Sequence, residues 1–424
     1  MRLIIFDRLN DNRINFHPAA LGRPIFELRC GMTSLADKLI SKVGIGDVAY
    51  FVPPYMAEAY QASTDRPVND PAALEGGDLL LANARVKPEG LDAAKASGAS
   101  RAAVDENGEL LWARIAAADC REVRAGSFEE LLAAAERLPQ APGMCPAWRY
   151  IWELILENPT QLTADFQAAG RHGIEGIVEE PFALRGAPKH VYIARGAIVH
   201  PMAVIDVENG PIYIDEGAVV HPFTRIEGPC YLGKNSVLLG CKCREGNSIG
   251  PMCRLGGEVE GSIMQGFSNK YHEGFLGHAY VGQWVNLGAL TTNSDLKNDY
   301  SPVSVILDGR RPVNTGSTKV GSLIGDHVKT SIGTLLNTGA YIGAMAVLLA
   351  GSGLMPKFIP PFGWCIEGAV TNGFGKAKLY AAARAAMSRR DCLWSEAEER
   401  MWDAVHDMTA RTREAAIRKS CKQQ

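Results

Sequence analysis

Between residues 214 and 348, aliphatic side chains return at every sixth position, a rhythm that few folds accommodate. Ile214, Val220, Ile226, Leu232 and Leu238 form one ladder. Ile324, Thr330, Leu336, Ile342 and Leu348 form a second, with one Thr, and Phe275, Val281 and Leu287 form a short one between them. A period of six matches neither the roughly 3.6 residues of a helical turn nor the two of a strand. It matches a hexapeptide solenoid, in which each unit makes one short strand and a corner, and three units close a triangular coil. Gly follows the aliphatic in Leu232-Gly233, Val281-Gly282, Leu287-Gly288, Ile324-Gly325 and Ile342-Gly343, and small residues such as Ala279, Thr291, Ala340 and Ala346 sit four positions on. Ordinary hairpins would give period-two alternation and two-residue turns instead. The expectation is a left-handed parallel β-helix over residues 187–369.

The flanking segments have other patterns. Residues 1–120 alternate short apolar runs (Leu3 to Phe6, Asp47 to Val52, Asp78 to Val86) with helical stretches, which predicts an α/β domain around a largely parallel sheet. Ser34 starts a helix running to Val43, and residues 102–116 read as a hairpin turning at Glu106-Asn107-Gly108. Residues 121–186 read as a helical linker. It contains a capping box, Ser127 to Glu130, and a helix from Trp148 to Glu157 that Asn158-Pro159 should stop. Residues 370–424 carry helical spacing (Leu393, Ala397, Met401, Val405, Met408), as a helical pair capping the last coil would.

Bulk properties exclude some partners. A net charge of −3 over 424 residues gives no reason to expect nucleic acid. Ten Cys without a disulfide framework suggest a reducing, cytoplasmic setting, and no long apolar run predicts a membrane span.

The long polar stretch 293–318 interrupts the solenoid, as functional loops do. His272, His278 and His327 fall at positions that should point outward from the coils, where an imidazole can act as a base. Ser268, Asn269, Lys270 and Tyr271 crowd beside His272 and add donors and a cation. A zinc-holding β-helix needs a His-x4-His pair; here the spacing is His272-x5-His278, on different faces, so no metal is expected.

The stretch Ser268-Asn-Lys-Tyr-His272, Val285-Asn-Leu-Gly-Ala289 and Asn293-Ser-Asp295 resembles the acetyltransferase domain of the bifunctional N-acetylglucosamine-1-phosphate uridyltransferase/glucosamine-1-phosphate acetyltransferase family. It looks closest to a branch in which a shortened sugar nucleotidyltransferase-like domain precedes the β-helix. The resemblance is specific over about 270–362 and loose in the first 90 residues. It implies that His272 takes a proton from an amino sugar phosphate as the amine attacks the acetyl-CoA thioester. It further implies substrate contacts from Lys270, Asn286, Asn293, Lys319 and Arg254, and passage of the CoA arm beside Gly288 and Ala289. A homotrimer with sites between neighbours follows from the same resemblance.

The chain also departs from that family. Gly256 stands where a sugar-phosphate Arg is expected, Phe275 replaces a Tyr, and Leu290 replaces a Gly. Residues 7–22 lack the Gly-rich loop that cradles nucleotide phosphates, so Arg13, Arg23 and Arg85 become the candidate nucleotide ligands, with Mg2+ accompanying a nucleoside triphosphate. Two alternatives stay open: nucleotidyl transfer alone with the β-helix as a trimerising stalk, and a non-catalytic sugar-nucleotide-binding scaffold.

Overall fold

The computed structural model describes every residue except 76, 93, 95–97, 120–126 and 423–424. The expected boundary at residues 120 and 121 lies outside the described residues.

The N-terminal unit is a five-stranded sheet. Its strands are β1 (Arg2–Phe6), β2 (Val48–Phe51), β3 (Leu79–Asn83), β4 (Arg101–Val104) and β5 (Leu110–Ile115), in the order β2-β1-β3-β5-β4. β1 pairs in parallel with β2 and β3, while β5 is antiparallel to β3 and β4. The chain goes from β1 to β2 on one side and then to β3 on the other, so the order reverses at β1. Helix α1 (Leu35–Val43) begins on Ser34, whose hydroxyl accepts from the Asp37 N–H while the Asp37 carboxylate accepts from the Ser34 N–H. The 106–108 hairpin is present between β4 and β5.

Helix α2 (Phe128–Ala135) precedes α3 (Ile151–Ala169), which runs straight through Pro159. The expected stop at Asn158-Pro159 is therefore corrected. Pro costs a helix its i−4 hydrogen bond, and packing offsets that loss here. Buried Asn158 donates to Gly246 O at 2.8 Å and accepts from the Gly31 N–H, pinning α3 between the two units.

Parallel coils begin at Gly173, earlier than the expected residue 187, because Gly173-Ile174 already pairs with Tyr192-Ile193. The coils stack into three faces. Face one is a ten-stranded column from Gly173–Ile174 to Phe358–Ile359. Ile214, Val220, Ile226, Leu232, Leu238, Val281, Leu287, Ile324, Leu336, Ile342 and Leu348 fill the prism, each at most 3% exposed. The middle ladder slips by one: Leu276, paired with Val259, is the inward residue, and Phe275 is not.

The outward side of face one is apolar, and Ile263, Tyr280, Leu323 and Tyr341 join one continuous core with the N-terminal unit. Polar contacts fix the register of this contact. The Arg29 N–H donates to Gln265 Oε1 at 3.1 Å, Gln265 Nε2 to Glu27 O at 2.6 Å, and Ser248 Oγ to Gly31 O at 2.6 Å. Three C-terminal helices, not the expected pair, complete the chain: α4 (Lys376–Ser388), α5 (Glu396–Met408) and α6 (Ala410–Cys421). They reach past the last coil. Trp402 of α5 lies against Gly22, and Arg400 pairs with Glu58, so these helices tie solenoid to α/β unit. No helix among the described residues is long and apolar enough to cross a membrane.

Candidate functional site

The first candidate is a cleft of about 570 Å3 at the carboxyl ends of β1 and β2, lined by residues 7–12, 51–54, 107–109, Phe128 and Glu129. Open parallel sheets bind ligands at this end, where strand order reverses. The three predicted nucleotide ligands are not free to serve it. Arg13 is buried, with Nε 3.1 Å from Asp7 Oδ2, and it donates to Arg23 O at 2.9 Å. Arg23 is paired with Asp326 of the solenoid at 2.6 Å. Arg85 is buried against Asp105 at 3.0 Å and Glu109 at 2.6 Å. Each guanidinium compensates a carboxylate in a poorly solvated place, a structural task invisible in the spacing of the sequence. The cleft itself presents Arg8, Asn10, Asp11 and Asn12. Arg8 is bound to Glu129 and Glu136 at 3.0 Å each. Glu109 accepts from Asn10 at 2.8 Å and from Asn12. Mg2+ takes one or two carboxylates together with substrate phosphates. Asp11 fits that role, since Asp7, Glu109 and Glu129 already carry ion pairs.

The second candidate is the His272 corner. Strand Asn269–Lys270 lies on face two, residues 271–274 turn, and Phe275–Gly277 starts face three. His272 is exposed, with the Tyr271 ring edge-on at 5.9 Å. Lys270, expected to contact substrate, instead points into the prism. It is 2% exposed, pairs in register with Leu255, and donates to Gly256 O at 2.9 Å and His272 O at 2.8 Å. Burial pulls this ammonium down to about 8. Lys270 thus clamps the corner that carries His272 and does not reach solvent.

Asn293 is corrected in the same way. It is 3% exposed, accepts from the Gly277 N–H at 2.8 Å and donates to Gly277 O at 2.9 Å, stitching one coil to the next. Asn286 is exposed on face two, where its Oδ1 accepts from Asn269 Nδ2 at 3.3 Å. Arg254 lies on the same face, in register with Asn269. The Gly288 N–H donates to Thr330 Oγ1 at 2.9 Å, and a Cβ there would lie 2.6 Å from the Ser331 backbone, so close coil stacking accounts for this Gly. Ala289 follows it, half-buried. Lys319 pairs with Glu260 at 2.8 Å.

Glu260 belongs to a cluster the sequence reading missed. His278 Nδ1 lies 2.7 Å from Asp295 Oδ2, and Glu260 is beside them, close enough for the three to hold a metal ion. Glu260 is already bound by Arg244 at 2.6 Å as well as by Lys319. Two cations on one carboxylate oppose a third, so the group is an ion-pair network. Burial alone would raise the Asp295 carboxyl, but the His278 bond and the charges of His278 and Lys319 hold it below its usual range. The signal was a separation of seventeen residues, one coil, which stacks residues 278 and 295. His278 Nε2 abuts Gly261 and its side chain is partly buried, leaving the exposed His272 as the more accessible imidazole. His327, expected on the surface, is 6% exposed beneath Trp284, Trp394 and Trp402. It does leave the prism outward, but the C-terminal helices cover it.

Residues 3–172 match the family model described as sugar nucleotidyl transferase. The chain is 34% identical over 95 residues to a bifunctional sugar-1-phosphate nucleotidylyltransferase/acetyltransferase of Sulfurisphaera tokodaii, covering 22% of this chain and 23% of that protein. It is 30% identical over 118 residues to the bifunctional protein GlmU of Methanococcus maripaludis, covering 28% and 26%. The matches thus span about a quarter of those relatives' length. A solved structure titled Arabidopsis UDP-N-acetylglucosamine acyltransferase aligns at 13% identity over 59% of this chain and 95% of that one, with a TM-score of 0.19. Residues 3–172, which match the sugar nucleotidyl transferase model, head a chain whose second half is a parallel β-solenoid.

Proposed function

We propose that the chain is a sugar-phosphate transferase with two chemistries: nucleotidyl transfer in the α/β cleft and acetyl transfer at the solenoid corner. The observation that carries the second is His272, an exposed imidazole on a corner whose backbone Lys270 clamps from inside. In the proposed step, the amine of an amino sugar phosphate attacks the thioester carbonyl of acetyl-CoA. The C–N bond forms, the C–S bond breaks, the amine proton passes to His272, and the thiolate leaves and is protonated. A backbone N–H at the coil edge stabilises the oxyanion. The names of the bifunctional relatives support this reading, as does the cleft at the strand ends for the first chemistry. Assembly as a homotrimer belongs to the same proposal.

Replacing His272 by Ala should lower acetylation of glucosamine 1-phosphate by about 10²- to 10⁴-fold. Release of pyrophosphate from UTP and a sugar 1-phosphate should be unchanged. A thiol-release assay beside a pyrophosphate assay reads both. Full acetylation by His272→Ala would overturn the assignment. Among the described residues no carboxylate hydrogen-bonds the exposed His272 ring, which favours a second reading, nucleotidyl transfer alone with the solenoid as a stalk. That reading gains if wild-type protein releases pyrophosphate but never thiol.

A further inference from the structure

The groove between face two and α4 is open, cationic and unused by the network around Glu260. Its sheet side is a column made by register: Arg254 pairs with Asn269, Asn269 with Asn286, and Asn286 with Lys329. The coils on either side carry Val237 and Val347 at the equivalent position. Four consecutive coils have therefore exchanged an apolar residue for a polar one on one stripe. The helix side presents Ala382, Ala385 and Ala386, whose small side chains leave a cavity of about 360 Å3. The chain then places Arg389 and Arg390 over its mouth, and Arg390 Nη2 crosses to Asn269 Oδ1 at 3.2 Å.

The charges here are all of one sign. Lys329 spends two donors on Trp284 O and His327 O, leaving one of its three. Burial draws the Arg390 guanidinium below its usual value, and the charges of Arg254 and Arg389 push the same way, with no carboxylate opposing them. No acidic residue lines the cavity. Cations at a helix carboxyl end favour the helix dipole, which accounts for Arg389 and Arg390. It does not account for Lys329 and Arg254 on the facing sheet.

We propose that this groove binds the phosphate-bearing end of a substrate, with Arg389, Arg390 and Lys329 donating to phosphate oxygens and Asn286 beside them. The guanidinium fork matches phosphate geometry and can donate two parallel hydrogen bonds to it. Asn269 lines the groove and His272 lies three residues further along the chain, at most about 10 Å away, since even an extended chain rises only roughly 3.3 Å per residue. A ligand anchored by phosphate in the groove can therefore present its reacting group to the imidazole. Two ligands share this chemistry: a sugar phosphate and the phosphorylated carrier of an acyl donor. Only the choice between them rests on the acetyl-transfer reading; the anion site does not.

Titration calorimetry with inorganic pyrophosphate tests the site on the full chain. R389Q/R390Q should weaken pyrophosphate binding by roughly 100-fold and K329M by roughly tenfold, the loss expected for charge-assisted hydrogen bonds, while His272→Ala should leave it unchanged. Pyrophosphate held in the α/β cleft is indifferent to these changes, so only the lost component counts. Glucosamine 1-phosphate and adenosine 3′,5′-bisphosphate, titrated in parallel, identify the source by which of them loses affinity in R389Q/R390Q. The thermal midpoint of R389Q/R390Q without phosphate should stay near that of wild type, because relief of like-charge repulsion offsets the lost helix-end interaction and the bond to Asn269. Equal pyrophosphate affinity in wild type and R389Q/R390Q, or no binding in wild type, would overturn the proposal.

Discussion

Lowering the pH from 6.5 to 4.5 is expected to remove about 2 kcal/mol of folding stability through His17 alone, with a further loss through His327. Burial pulls His17 down to about 3, with the Arg13 charge adding to it. Burial pulls His327 well below its usual value, and the charges of Lys329 and Arg23 push the same way. The His17 ring is neutral in the folded protein at pH 5 and the His327 ring resists protonation there, whereas the unfolded chain protonates each near 6.5. Below that pH the unfolded state binds more protons, so stability present above 6.5 is lost as the pH falls. The slope is about 1.4 kcal/mol per pH unit for each ring. Urea midpoints taken across this range should show it. His327→Phe should flatten the slope by one ring's share, whatever it does to stability at pH 7. Phe suits the site, since His327 is ringed by three Trp and its buried Nδ1 has no hydrogen-bond partner among the described residues. Proton resonances of His17 or His327 that titrate between pH 7 and 5 in the folded protein would refute the account.

Arg13→Leu should cost about 3–5 kcal/mol, because it strands a charge. Asp7 and Arg13 have side chains 1% and 2% exposed. Asp7 Oδ2 accepts from Arg13 Nε at 3.1 Å and from the Ile25 N–H at 2.9 Å. Without the guanidinium, the carboxylate keeps one backbone donor and loses its counter-charge in a dry setting. Asp7→Asn together with Arg13→Leu should cost much less than Arg13→Leu alone, since no charge is then left over. Chemical denaturation of wild type, R13L and the double variant measures both. An R13L protein of wild-type stability that fails to bind UTP would return Arg13 to the nucleotide-binding role first expected of it.

Much of the framework was legible because the devices that build it are local. The six-step ladders name the residues that fill the prism, and Leu336 and Ile342 are both at most 1% exposed. Ser34, Ser127 and Ser395 each close a capping box within four residues, and all three helices start where those boxes sit. The one slip, Phe275 for Leu276, falls at the corner that carries His272, where the hexad is interrupted. Pro159 misled because its penalty is local while the forces that override it, the buried bonds of Asn158 to Gly31 and Gly246, come from other segments.

The candidate sites divide along the same line. Sequence placed His272 outward, because direction along a coil follows from counting residues. It could not say which cations were already spoken for. Arg13, Arg23 and Arg85 look alike in the chain, yet each meets a carboxylate brought to it by the fold, Arg23 from as far away as Asp326. Only the packing of α4 along face two brings Arg389 and Arg390 to the groove that Lys329 lines. The chain's own order determined the prism, its inward residues and the corners that punctuate it, since a repeating coil is set by short-range periodicity. Which charges are neutralised and which stand together without a partner was decided only by tertiary packing, because ion pairing depends on distance in space and on the water excluded around it.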